Sequence, residues 1–177
     1  MPVSATFEDV SSQFNSQDLP PQVLAHTGGD WKLCGQGVFS WSVFKFYRIR
    51  LFSHTGHFEA TQPHLLDLSY LRKLSAQQII AISLQEIQRL AAPTPTPAQL
   101  ASWRSALEAI VPDVGLGDRL LGWFVPGEGV HFFSAHAELG AIRETAFASA
   151  FGAIWLDPKT QRPALRQELL GLQGETA

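Results

Sequence analysis

Four side chains are suited by type and spacing to hold a ligand. Lys45 and Tyr47 lie two apart in the run Val43 to Leu51, and Tyr70 and Arg72 lie two apart at the end of the run that begins at His64. Side chains two apart on a strand share a face, so each pair sets a cation beside a phenol among apolar neighbours. Facing an apolar cavity, such a set would hold a hydrophobic small molecule with an acidic or phenolic head group. The competing reading is that the aliphatic stems pack while the charged tips reach water.

The other constellations carry less chemistry. His54-x-x-His57 supplies two imidazoles, but zinc usually takes at least three protein ligands, and neither Glu59 nor His64 completes a recognised spacing. Gly35-Gln36-Gly37 lacks the further glycine and the Lys-Ser/Thr that make a phosphate loop specific. The single cysteine, Cys34, sits between Leu33 and Gly35 with no base nearby, as a small buried hydrophobe would. No Gly-x-Ser-x-Gly elbow is present, and Asp113, Asp118 and Glu128 form no visible carboxylate pair. No metal and no cofactor is expected.

The composition bounds the partners. A net charge of −3 and a thin basic cluster of Lys45, Arg48 and Arg50, followed by Arg72 and Lys73, argue against nucleic acid. There is no apolar run of about eighteen residues, the length a membrane-spanning helix needs. The first residues lack the basic-then-apolar pattern of a secretory signal. The expected compartment is the cytoplasm, or the periplasm if a signal has been removed. Twelve Phe and five Trp in 177 residues suit a thick core or a lined pocket. The sequence leaves the oligomeric state open.

The elements that would position these groups read as α+β. Residues 1–27 are polar and are expected to form a loosely ordered arm with one short helical turn; residues 28–177 form one domain. Trp31 to Phe52 reads as two strands or one long bent strand, with Gly35 and Gly37 permitting a bulge or a close backbone approach. His64 to Leu71 is a further strand. Ser75 with Gln78, and Thr96 with Gln99, are capping boxes that open two amphipathic helices. The stripes are Ile80, Leu84, Ile87 and Ala91 in the first, and Leu100, Trp103, Leu107 and Ile110 in the second. Arg119–Val125 and Val130–Ser134 form a hairpin around Pro126-Gly127-Glu128-Gly129, and Glu138–Ile142 adds a short strand. Thr145–Trp155 and Pro163–Leu170 close the chain as helices, the last stopped by Gly171. The expected architecture is a large antiparallel or mixed sheet with helices packed on one face.

Six segments, in this order, resemble the bacterial chalcone isomerase-like family over roughly Trp31 to Gly171. They are Gly35-Gln36-Gly37 leading into Phe46-Tyr47, Leu68 to Ser75, Gly117 to Leu120, Pro126-Gly127 through Val130 to Phe133, Leu139 to Ile142, and Ile154 to Pro158. The resemblance implies a large antiparallel sheet with helices packed on it, enclosing an apolar cleft. It spans plant enzymes that close chalcones to flavanones and fatty-acid-binding relatives without catalysis. Residue by residue, it places the plant enzymes' arginine at Phe39, their threonine near Tyr47, their tyrosine at Ile79 and their asparagine at Glu86, and matches their late-helix Ser or Thr with Ser149. Ring closure needs positive charge and hydrogen-bond donors where charge develops on the enone oxygen, and Phe39 and Ile79 supply neither. The expected function is therefore non-catalytic binding of a hydrophobic, fatty-acid-like molecule at Lys45, Tyr47, Tyr70, Arg72 and Ser149. The alternative is an isomerase acting on an enone with relocated catalytic groups.

Overall fold

The computed structural model describes residues 18–172. Six strands follow one another across a single sheet in chain order: β1 Lys32–Trp41, β2 Phe44–Ser53, β3 His64–Tyr70, β4 Arg119–Val125, β5 Gly129–Ser134 and β6 Glu138–Ile142. Every neighbouring pair is antiparallel. Between β3 and β4 run α2 Ala76–Leu90 and α3 Pro97–Ile110, and after β6 come α4 Thr145–Leu156 and α5 Pro163–Leu169. Both capping boxes form: the Ser75 and Thr96 hydroxyls accept from the Gln78 and Gln99 amides, and each glutamine side chain returns the bond. These contacts satisfy N–H groups that the first turn of a helix leaves free.

Alternation along the strands builds two different faces. Ile49, Leu51, Leu66, Leu68 and Phe132 point toward α2, α3, α4 and α5 and form the main core with Ile80, Leu84, Trp103 and Phe147. Phe52, Leu65, Leu121 and Phe133 point the other way. The helices are thus not confined to one face. A short helix, α1 Pro21–Thr27, covers this second surface, burying Val23 with Leu19 and Trp31 over those four side chains. Residues 18–27 of the expected arm are packed, because Leu19 and Val23 cap apolar strand positions that would otherwise face water; residues 1–17 lie outside the described residues.

The same surface holds a buried ion cluster. The Arg50 guanidinium donates to Asp67 from two nitrogens and reaches Asp18, and Arg119 donates to both oxygens of Asp67. The Asp67 side chain is fully buried. A buried carboxylate is tolerated when it is paired and its lone pairs are filled.

Two glycines set the position of α5. The ladder between β1 and β2 is bulged between Leu33 and Gly35 and again between Phe39 and Ser40. A Cβ on Gly35 would stand 2.0 Å from the Glu168 carbonyl oxygen, and one on Gly37 would stand 2.2 Å from Glu168 Oε2. The missing side chains let the last turn of α5 lie directly on β1, and Leu165 of the same helix lines the cavity described next.

Candidate ligand-binding cavity

Between α2, α4 and α5 and the face of the sheet they cover lies a cavity of about 390 Å³. It falls in the range of small-molecule pockets, roughly 300–1,000 Å³. One side is aromatic: Phe124, Phe132, Phe151 and Trp155 line it, with Phe151 stacked on Phe124 and edge-on to Phe132 and Trp155. Leu66, Leu68 and Leu120 from the sheet and Ile79 and Ile80 from α2 supply aliphatic wall.

Polar groups converge at one part of this wall. The chain has two tyrosines, Tyr47 and Tyr70, and both line the cavity. They are direct partners across β2 and β3, with ring centroids 5.6 Å apart. Trp155 Nε1–H donates to the Tyr47 hydroxyl at 2.9 Å, so the phenol oxygen is occupied as an acceptor and keeps its own proton to donate. Among the described residues the Tyr70 hydroxyl has no hydrogen-bond partner. Burial pushes both phenols well above the usual tyrosine range; at Tyr47 the Trp155 bond and the charge of Arg162 act in the opposite direction. Both are therefore neutral donors at any ordinary pH.

The cation comes from a residue outside every motif of the sequence. Arg162 stands at the N-cap of α5 and lines the cavity. Its guanidinium carbon lies 5.1 Å from the centroid of the Phe39 ring, and Phe39 itself stacks on Tyr47 with centroids 5.0 Å apart. Arg162 Nε is buried and has no hydrogen-bond partner among the described residues. A buried guanidinium N–H without an acceptor is costly unless a ligand supplies one. The one local signal was an arginine directly before Pro163, where the proline restricts the preceding residue to non-helical backbone.

The five residues expected to bind ligand divide. Tyr47 and Tyr70 meet in the cavity. Lys45 is exposed, and Ser149 is exposed on α4, away from its inward residues Phe147 and Ala150. Arg72 lies over the rings of Phe44 and Phe46, 4.7 and 5.3 Å from their centroids; none of these three lines the cavity. Of the other positions matched to the plant enzymes, Phe39, Ile79 and Glu86 all do. Glu86 pairs with Arg89 at 3.0 Å.

The weaker motifs resolve into local structure. His54 stacks on Trp31 at 4.0 Å. The Cys34 thiol donates to Ser53 Oγ at 3.3 Å, and burial raises its pKa. Among the described residues no three His, Cys, Asp or Glu side chains gather as a metal site, and no helix is long and apolar enough to cross a membrane.

The sequence profile of chalcone isomerase-like proteins matches residues 12–171. The chain is 28% identical over 142 residues to an uncharacterised protein of Haemophilus influenzae, a match covering 80% of this chain and 68% of that one. Its fold is similar to the crystal structure of a fatty-acid binding protein of Arabidopsis thaliana, with a TM-score of 0.65 and 9% identity over 81% of this chain and 88% of that one. With nearly its whole length matched and the expected antiparallel sheet carrying its helices, the chain belongs to the chalcone isomerase-like family.

Proposed function

We propose that this protein is a non-catalytic binder of a hydrophobic, fatty-acid-like small molecule. The apolar part fills the cavity, and the acidic head group lies against Arg162 and the Tyr47 hydroxyl. The observation that carries the reading is the Arg162 guanidinium at the wall of an apolar cavity, with a buried Nε–H that no described residue accepts. An acidic head group satisfies that donor and is strengthened by the low local dielectric. Tyr70 contributes a second neutral donor. The binding set so proposed keeps Tyr47 and Tyr70 and has Arg162 in place of Lys45, Arg72 and Ser149. The description of the Arabidopsis relative of this fold as a fatty-acid binding protein supports the same chemistry.

Catalysis of the plant type is disfavoured by the wall itself. Phe39 and Ile79, matched in the sequence to an arginine and a tyrosine of the plant enzymes, line the cavity, and neither side chain donates a hydrogen bond. A general base works best with its pKa near the operating pH, and burial drives both tyrosines away from it.

Native mass spectrometry of the purified protein, paired with solvent extraction, tests the reading. An amphiphilic acid should travel with the folded protein and leave on denaturation, and Arg162→Gln should carry less of it. A wild-type protein that is purified empty and takes up no added long-chain carboxylic acid would overturn it.

A further inference from the structure

The sheet end that carries the β1–β2 turn is apolar where water should favour polar residues. The turn between Trp41 and Phe44 consists of Ser42 and Val43, and Ser42 holds a positive φ of 55°. Gly, Asn and Asp usually fill such turns. Here Val43 is 86% exposed, Trp41 67% and Phe44 52%. At the same end the β3 strand runs out at Tyr70, and the segment before β4 bonds back to it, the Gly117 N–H donating to the Tyr70 carbonyl at 2.9 Å. That segment adds Leu116, 76% exposed. Among the described residues nothing buries these four side chains, and exposed apolar groups rimmed by polar ones mark an interaction site.

The rim is cationic. Lys45 follows the turn and Arg48 stands further along β2, both exposed; Arg72 lies over Phe44, and Lys73 is exposed beside it in sequence. None of the four has an ion-pair partner among the described residues. The neighbouring segment carries two carboxylates that turn to backbone amides rather than to these cations: Asp113 accepts from the Ala76 N–H and Asp118 from the Gly115 N–H, both at 2.8 Å. A protein of net charge −3 thus gathers unpaired positive charge around its most exposed apolar tip. The cavity reaches the surface at the same end, since exposed Trp41 and exposed Ile82 both line it.

We infer that this end docks on an anionic lipid bilayer. The tip of Trp41, Val43, Phe44 and Leu116 enters the headgroup layer, where tryptophan is favoured, and the four cations face the negative surface. A membrane fits this combination better than a protein partner, because the apolar group is a small projecting tip and the charge around it has one dominant sign. The seat also brings the cavity mouth to the place where a water-insoluble ligand resides. The inference does not depend on what the cavity binds, because vesicle binding by empty protein is its readout.

Co-sedimentation of the full chain with vesicles tests it. Vesicles of phosphatidylcholine with phosphatidylglycerol should bind the protein, vesicles of phosphatidylcholine alone much less, and added salt should release it. Val43→Asp should abolish binding while the melting temperature and ligand loading stay as in wild type, and Lys73→Ala should weaken it about fivefold. Arg162→Gln should bind vesicles like wild type, which separates this result from any failure of the ligand reading. Equal binding to both vesicle types, or Val43→Asp binding like wild type, would overturn the inference. So would a dimer in sedimentation velocity that Val43→Asp dissolves while wild type ignores vesicles, which would assign the tip to a second copy of the chain.

Discussion

Arg162 holds its guanidinium carbon 5.1 Å from the centroid of the Phe39 ring. The resemblance read from the sequence matches the plant enzymes' arginine with Phe39, and Arg162 brings a cation to that ring from a different element. The Phe39 ring serves as the platform for that cation, a cation–π contact that orients the charge. Arg162→Gln should therefore weaken binding of a long-chain carboxylic acid by roughly ten- to a hundredfold, the worth of a hydrogen bond to a charged group. Binding of the matching methyl ester should change little. Titration calorimetry of the acid and ester against both proteins checks this, and an equal loss for both ligands would mean that Arg162 acts through packing.

The two glycines of β1 should not be equivalent. A methyl group at Gly35 meets backbone atoms, the Glu168 and Leu169 carbonyl oxygens at 2.0 and 2.5 Å. At Gly37 it meets the Glu168 carboxylate and Leu165 Cδ1, which are side-chain ends. Gly37→Ala should cost about 1–3 kcal/mol of stability as those ends shift. Gly35→Ala should cost more, because α5 must move off the strand. Urea denaturation of the two variants ranks them, and the reverse order would show that α5 is not held by backbone approach.

Asp67 is fully buried between Arg50 and Arg119. Asp67→Ala removes the buried anion that the two guanidinium groups share, and should lose about 3–5 kcal/mol. Asp18 also meets Arg50, but its side chain is half exposed, so Asp18→Ala should lose only about 0–1 kcal/mol. Equal losses would place the energy of the cluster in Asp18 as much as in Asp67.

His64 stacks on Phe124 at 4.8 Å and against the edge of Phe58 at 4.9 Å. Burial lowers its pKa, with the Gln62 carbonyl acting weakly the other way. The unfolded chain then takes up its proton at a higher pH than the folded one. Stability should fall as pH drops from about 6.5, the unperturbed histidine value, toward the lower folded value, and this contribution should be absent above that window. His64→Phe should flatten this part of the stability–pH curve. A variant with the wild-type slope would assign the acid sensitivity to other groups.

The elements themselves were legible because their signals are local. The capping boxes at Ser75 and Thr96, the stripes through Ile80 and Trp103 and the turn at Gly127 act within a few residues, and all stand where the spacing put them. The alternation that joins Tyr47 to Ile49 also held. It failed one step earlier for a physical reason. Phe39 pairs with Tyr47 and Ser40 with Lys45, so Phe46 has no partner on β1. A bulge bends and twists its strand; here Phe46 lines the cavity and Lys45 is exposed. Arg72 lies beyond the end of β3, where the period of two no longer applies, and its guanidinium settles on Phe44. Ser149 fell to helical geometry, since it sits on the outer side of a helix whose inner side carries Phe147 and Ala150. Arg162 belongs to no periodic pattern, and its meeting with Phe39 is a tertiary contact between distant parts of the chain.

The backbone contact between Gly35 and Glu168 also orders events at the ribosome. β1 emerges early in synthesis, and α5, which supplies Leu165 and is preceded by Arg162, emerges more than a hundred residues later. Long-range pairings form last because the intervening chain must first be closed. A nascent chain can assemble most of the sheet while the cavity still lacks one wall and the one arginine that lines it among the described residues. On the binding function proposed above, loading is thereby reserved for the finished polypeptide, and a half-made chain has little with which to seize its ligand.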